Sequence, residues 1–140
     1  MLIVFLIGIL LWISIIDIRK QIIPDKVLLL AVGVRVIYFL CYEGFCWQGL
    51  WMLCMEGLIV SVPLLVITLG IERFFQKELL GGGDIKLLFV TGMYLGWERN
   101  LWAFLFACIL GIGIGMIKKE GTYFPFGPAI TVGVLLAIFI

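Results

Sequence analysis

Short charged and turn-forming stretches divide this sequence into six apolar segments. The segments cover residues 1–16, 27–42, 48–70, 85–97, 101–117 and 126–140. Of the 140 residues 64% are hydrophobic, whereas ordinary globular domains contain roughly half. The mean hydropathy is +1.26. The pattern predicts an all-α, polytopic integral membrane protein with six transmembrane helices, which form a single domain over residues 1–140.

Several of these segments are shorter than the roughly 20 residues that cross a bilayer comfortably. Helical extension into flanking residues or local thinning of the membrane must make up the difference. The first segment has no basic residue ahead of its apolar run and no small-residue cleavage site before Asp17. We therefore expect a retained helix there rather than a signal peptide.

Charge and composition exclude several classes of function. The formal net charge is +1 and only 14% of residues are charged, so nothing indicates nucleic-acid binding. Histidine is absent, which removes the usual catalytic base and the commonest transition-metal ligand. The four cysteines form no CxxC pair, so neither a zinc site nor any other cofactor is expected. Whether Cys41 and Cys46 form a disulfide is left open by the sequence.

Positive charges are distributed unevenly between the loops. The first, third and fifth loops and their edges contain Arg19, Lys20 and Lys26; Arg73, Lys77 and Lys86; and Lys118 and Lys119. The second and fourth loops contain only Arg99. The bias predicts that the three basic loops face the cytoplasm and that both termini lie outside the plasma membrane.

The residues from Ile71 to Leu80 differ from the apolar segments. Charged and amide side chains occupy one helical face, and four apolar side chains share the other: Ile71, Phe74, Phe75 and Leu79. The pattern is typical of a short amphipathic helix in the cytoplasmic interface, just before a glycine-rich stretch.

Two aspartates are predicted at this same membrane surface, on different helices. Asp84 follows Gly81, Gly82 and Gly83 just before the fourth segment, and Asp17 comes directly after the first. Asp84 can be interpreted as a helix N-cap. Asp17 can be interpreted as a solvated helix end paired with a neighbouring cation. Because ionisable groups at this depth are expensive to bury, both are also candidates for function.

Two carboxyl groups that approach each other have a specific chemistry. They cannot both ionise easily, so they share a proton and titrate as a coupled pair. The ionised member can take a proton from a water molecule while the protonated member polarises an amide carbonyl. This division of labour needs no histidine, metal ion or nucleophilic serine.

Three motifs resemble one known family, the type IV prepilin peptidases, which are intramembrane aspartyl peptidases of the GxGD class. Gly81-x-Gly83-Asp84, followed by Lys86, looks like the family's GxGD signature. Asp17 followed by Pro24 looks like its first aspartate motif. Gly127-Pro128 resembles the sequence that opens its last helix. The six-helix layout agrees with the family along essentially the whole chain.

The resemblance implies an endopeptidase that removes the short basic leader of prepilin-like proteins at the cytoplasmic face of the membrane. Asp17 and Asp84 are then the catalytic pair, and the glycines before Asp84 form a hinge. The larger members carry a further domain with two CxxC pairs, associated with N-methylation. Those pairs are absent here, so the chain resembles the short members that have the peptidase alone.

Two other hypotheses stay open. Presenilin-type and signal-peptide-peptidase enzymes also use GxGD, but with a Tyr-Asp motif, whereas Ile16 precedes Asp17 here. The second alternative is a non-catalytic membrane carrier or a pilus-assembly factor, in which the aspartates bind protons. Changing each aspartate to asparagine discriminates a peptidase from the carrier or assembly factor, since a peptidase loses cleavage with either change.

Four further charged residues carry structural expectations. Lys86 is predicted to be a positive anchor at the membrane surface, with modulation of Asp84 or substrate contact as the alternative. Asp25 is predicted to cap a helix that begins near Lys26. Arg35 and Glu56 are the charges well inside the apolar segments, and a buried ion pair between them is predicted.

A stripe of small residues lies on the fifth segment. Gly111, Gly113 and Gly115 alternate along it, and Ala107 lies one turn earlier. We expect this stripe to allow close packing against another helix.

Overall fold

The computed structural model describes residues 1–20, 22–42, 44–75, 81–117 and 126–140, and within these ranges its regular structure is all helical. The helices are α1 (Leu2–Lys20), α2 (Asp25–Tyr42), α3 (Trp47–Phe75), α4 (Gly82–Leu95), α5 (Trp97–Ile117) and α6 (Phe126–Ile138). Each apolar segment therefore forms one helix, and the predicted all-α class is confirmed. Among the residues that the structure describes, three helices, α1, α3 and α5, are long and apolar enough to cross a membrane.

The helix boundaries follow from local chemistry. The carbonyl of Pro24 accepts hydrogen bonds from the N–H groups of Val27 and Leu28, at 3.1 and 3.4 Å, and so opens α2. A single residue, Gly96, separates α4 from α5. Its φ of 83° is accessible to glycine at little cost, and its N–H donates to the carbonyl of Gly92. The two helices can therefore reverse direction without the longer loop expected between them.

The predicted amphipathic helix over Ile71–Leu80 is not seen as a separate element. Residues 71–75 continue α3, and residues 76–80 lie outside the described part of the chain. The charges of Glu72 and Arg73 thus belong to the last turns of a 29-residue helix.

The centre of the bundle is α4, which packs against each of the other five helices. Its buried residues include Leu87, Leu88 and Met93, all at most 1% exposed. At a rise of 1.5 Å per residue α4 is about 20 Å long, less than the roughly 30 Å of a bilayer's hydrocarbon core. Because neighbouring helices surround it, this short helix does not need to match the bilayer by itself.

Small residues set the closest helix crossings. An ideal Cβ on Gly92 of α4 would stand 2.8 Å from the Cα of Gly57 on α3. A Cβ on Gly133 of α6 would collide with the carbonyl of Ala103 on α5 and stand 3.1 Å from the backbone nitrogen of Ala107. By contrast, a Cβ on Gly113 would meet no atom within 4 Å. The expected packing stripe on α5 is therefore correct for Ala107 and wrong for Gly113.

Polar contacts fasten α2 to the C-terminal end of α4. Arg35 Nε donates to the carbonyl of Met93 at 2.9 Å, where a cation also suits the helix dipole. The hydroxyl of Tyr94 donates to the carbonyl of Ala31 at 2.7 Å. The predicted ion pair between Arg35 and Glu56 is wrong, since no ion pair joins these two described residues. The reason is the register of the helices. Arg35 lies beside the C-terminal end of α4, where the carbonyl of Met93 accepts its hydrogen bond.

The connection between α2 and α3 contains two of the cysteines. Cys41 and Cys46 are both free and exposed, so no disulfide joins them. Gly44 has a φ of 78° in this turn, and the carbonyl of Cys46 accepts the first helical hydrogen bond of α3, from Leu50.

Candidate functional site

Asp17 lies in the last turn of α1 and is buried, with 4% of its surface exposed. Its Oδ2 accepts a hydrogen bond of 3.0 Å from the backbone N–H of Gly127, the second residue of α6. The first N–H groups of a helix have no partner inside the helix, and the positive end of the helix dipole lies there. The carboxylate therefore occupies an anion site at the start of α6, and the interpretation of Asp17 as a solvated helix end is wrong.

Gly127 leaves no room for a side chain at this contact. An ideal Cβ would stand 2.6 Å from Asp17 Oδ2, well inside van der Waals distance. Pro128 follows as the third residue of α6, where the absence of its N–H costs nothing. The Gly127-Pro128 motif thus supplies one backbone donor and removes the obstacle beside it.

Asp84 is the third residue of α4, and 6% of its surface is exposed. Gly81 is the N-cap, with extended backbone at φ −65° and ψ 137°. The interpretation of Asp84 as the N-cap is therefore wrong by three residues. Its carboxylate turns back to the backbone N–H of Gly81, where an ideal Cβ would stand 3.3 Å from Oδ2. The first turn of α4 thus holds the carboxylate against the helix end.

Gly83 brings α4 close to the segment before α2. An ideal Cβ on Gly83 would stand 3.0 Å from the Cβ of Ile23, which is tighter than most real contacts. This close approach places the start of α4 beside the stretch that runs from Asp17 to Pro24. The GxGD and first aspartate motifs are therefore in contact in the folded chain.

The two aspartates lie on α1 and α4, which pack against each other. The charge of Asp17 acts on the carboxyl group of Asp84. Each also receives one backbone N–H from a glycine, Gly127 for Asp17 and Gly81 for Asp84. Two buried, interacting carboxyl groups favour a state with one shared proton. No group of three or more acidic, cysteine or histidine side chains that could hold a metal ion occurs within the described residues.

Lys86 and Asp25 form an ion pair near this site. Lys86 Nζ lies 2.8 Å from Asp25 Oδ1, and both side chains are more than half exposed, at 59% and 64%. The expected role of Asp25 as a cap before Lys26 is wrong, because α2 already begins at Asp25. Lys86 thus connects the first turns of α4 and α2, and its expected role as a positive anchor at the membrane surface stays a prediction. An exposed pair of this kind adds little to stability.

One residue of the site was not anticipated from the sequence. Thr131 lies one turn after Gly127 on α6 and is 3% exposed. Its hydroxyl lies 3.0 Å from the carbonyl of Gly127 and 3.3 Å from the carbonyl of Leu10 on α1, within reach of either acceptor. Thr131 therefore ties α6 to α1 behind the Asp17 carboxylate. The available signal was a lone hydroxyl in an apolar helix, one turn after the Gly127-Pro128 motif.

The fold and the site together define a helical membrane protein in which two buried aspartates meet at one end of the bundle. The chain belongs to the type IV leader peptidase family, whose sequence model matches residues 4–116. The matched range includes both aspartates, and the resemblance noted from the motifs is confirmed. No solved structure matches the chain.

Several curated relatives carry the name prepilin leader peptidase/N-methyltransferase. The protein from Escherichia coli K12 is 29% identical over 129 residues, which is 88% of this chain and 56% of the relative. Those from Pseudomonas putida and Bacillus subtilis 168 are each 28% identical over 141 residues. They cover 92% and 96% of this chain, and 46% and 53% of the relatives. The chain thus spans about half the length of the curated relatives it matches.

Proposed function

We propose that this protein is an intramembrane aspartyl endopeptidase that removes the short basic leader of prepilin-like proteins. Asp17 and Asp84 are the catalytic pair. The observation that carries the proposal is their meeting: two acids 67 positions apart in sequence lie buried and interacting, each with a glycine N–H donor. Membership of the leader peptidase family supports the substrate class.

The proposed reaction uses one proton shared by the two carboxyl groups. The ionised aspartate takes a proton from water as the water oxygen bonds to the carbonyl carbon of the scissile amide. The protonated aspartate donates a hydrogen bond to the carbonyl oxygen and stabilises the charge that develops there. As the carbon–nitrogen bond breaks, a proton from the pair passes to the leaving amine. The products are a carboxylic acid and a new amino terminus, and the pair is again singly protonated.

The proposal places the reaction at the cytoplasmic surface. Six helices cross the membrane, both termini lie outside, and residues 1–140 form one peptidase domain. Arg19 and Lys20 lie two and three residues after Asp17, and both are exposed at the end of α1 that holds the site. A cluster of cations at this end is typical of the cytoplasmic side. Gly81, at the boundary of α4, is the position at which the Asp84 turn can move as substrate docks.

The N-methyltransferase activity named for the relatives is not part of the proposal. The two CxxC pairs that the resemblance associates with that activity do not occur among the four cysteines of these 140 residues. Both aspartates of the proposed catalytic pair, in contrast, are present in the chain.

The test is cleavage of a prepilin-like reporter with a basic leader and an apolar helix, in membranes that contain the wild type, Asp17→Asn or Asp84→Asn. Asparagine preserves shape but cannot ionise, so either change is expected to lower cleavage by about 100-fold or more, the scale of a lost acid–base catalyst. Glu98→Gln is the matched control, since Glu98 is an exposed acid in the first turn of α5 and is expected to leave the rate unchanged.

Expression and thermal stability are measured on the same membranes. Normal cleavage by either asparagine variant would make that aspartate structural. Absence of cleavage by the wild type with several leaders would contradict the peptidase and favour the proton-binding carrier or assembly factor.

A further inference from the structure

An apolar groove lies beside the aspartate pair and is not used by the chemistry described so far. Helices α2 and α3 both pack on α4 and leave a space of about 540 Å³ between them. Phe89 and Val90 of α4 line its floor. Leu29 of α2 and Val62 of α3 line opposite walls, and they are 71% and 44% exposed. The groove is therefore open to a partner from the membrane side.

The groove has a charged end and an apolar body. Asp25 and Lys86, which form the ion pair, line one end. Beyond them the lining is apolar except for Ser61, whose hydroxyl already donates to the carbonyl of Gly57 at 2.7 Å. The body of the groove therefore presents no polar group in need of a partner, and it suits an apolar occupant.

The charged end is also the end at which the candidate site lies. Lys86 follows Asp84 by two residues, in the first turns of α4. Ile85 joins the two features, because it lines the groove and directly follows Asp84. A peptide that lies in the groove and continues past its charged end would therefore pass close to Asp84.

We propose that this groove receives the first turns of the substrate's apolar helix and so places the scissile bond beside Asp84. The inference rests on the proposed function. A leader peptidase substrate has a polar leader followed by an apolar helix. The groove matches this order only when it is followed from its charged end, at Asp25 and Lys86, into its apolar body. The occupant is therefore a peptide helix that enters with its charged end at Asp25 and Lys86.

The size of the groove fits this occupant. From Asp25 to Val32 the wall on α2 is about 10 Å long, at 1.5 Å per residue. This length holds about two turns of a helix at a pitch of 5.4 Å. The remainder of the substrate helix extends into lipid. The groove therefore binds only the start of that helix and fixes how far from it the scissile bond lies.

Photo-crosslinking tests the position of the substrate directly. A benzoylphenylalanine is introduced at Leu29 or Val62 in the Asp84→Asn protein, which holds uncleaved reporter. The matched control is Ile109 on α5, a 65% exposed aliphatic residue outside the groove. We expect crosslinks to the reporter at Leu29 and Val62, confined to its first apolar turns, and none at Ile109.

Kinetics supply an independent readout in the active protein. Leu29→Trp or Val62→Trp fills the groove without touching the aspartates, so KM is expected to rise about tenfold with little change in kcat, as for a loss of uniform binding. Ile109→Trp is expected to leave both constants unchanged.

The outcomes separate the two proposals. Cleavage by the wild type together with reporter crosslinks only at Ile109, or only lipid crosslinked in the groove, would overturn the groove and leave the peptidase standing. Crosslinks in the groove without cleavage by the wild type would support the docking site and overturn the peptidase. An absence of both crosslinks and cleavage would overturn both proposals.

Discussion

The contact between Gly127 and Asp17 is the tightest constraint on the candidate catalytic pair. The glycine N–H donates to Oδ2, and the space of a Cβ is already occupied by the same oxygen. A single methyl group would therefore push the carboxylate from its position while the remainder of α6 stays unchanged. The requirement for glycine here is steric, since Gly127 lies in an ordinary helical conformation.

Gly127→Ala is accordingly expected to lower the cleavage rate by about 100-fold, the cost of displacing a catalytic group by about 1 Å. The protein should still fold, because only one side chain must move. The measurement is the initial rate of reporter cleavage, with a melting curve of the detergent-solubilised protein. Gly113→Ala is the matched control, since its new methyl group meets no atom within 4 Å. Equal rates for the two variants would contradict the steric role of Gly127.

Among the helices, α4 has the most demanding position. It packs on all five others, and its approach to α3 is possible because Gly57 and Gly92 lie opposite each other. Beside this crossing, Thr91 and Asn100 are fully buried and hydrogen-bonded to each other at 2.7 Å. Asn100 also donates to the carbonyl of Leu88 at 2.9 Å. The polar groups of α4 are thus satisfied inside the bundle, as a membrane interior requires.

Gly92→Ala is expected to destabilise the protein by about 1–3 kcal/mol, the usual cost of overpacking a close contact. The new Cβ at position 92 would stand 2.8 Å from each of three atoms: the Cα of Gly57, the backbone carbonyl oxygen of Glu56 and the side-chain nitrogen Nδ2 of Asn100. Because two of these atoms belong to the backbone, the backbone must shift. Gly33→Ala on α2 meets nothing within 4 Å and should be neutral or slightly stabilising. Reversible unfolding in mixed micelles measures both. A Gly92→Ala protein as stable as the wild type would show that α3 and α4 do not cross this closely.

Over the whole molecule, the sequence predicted the six helices because each apolar run is bounded by charges or turn residues. The alternation of the segments across the membrane also predicted that Asp17 and Asp84 lie at the same membrane surface. The central position of α4 was not predictable, because it depends on which small residues meet, such as Gly57 with Gly92. The partner of Arg35 was missed for a related reason. Both Glu56 and a helix-end carbonyl were available, and only the relative register of α2, α3 and α4 decides between them.

The orientation of the molecule gives the last prediction. If both termini are outside, the connection between α2 and α3 lies outside as well, while the start of α2 lies in the cytoplasm. Cys46 is free and exposed in that connection, and Lys26 is exposed at the start of α2. In a background with the four cysteines changed to serine, a restored Cys46 should react with a membrane-impermeant maleimide in intact cells. A cysteine introduced as Lys26→Cys should react only after permeabilisation. The reverse pattern would place the Asp17 and Asp84 end of the bundle outside, where a leader that stays in the cytoplasm could not reach it.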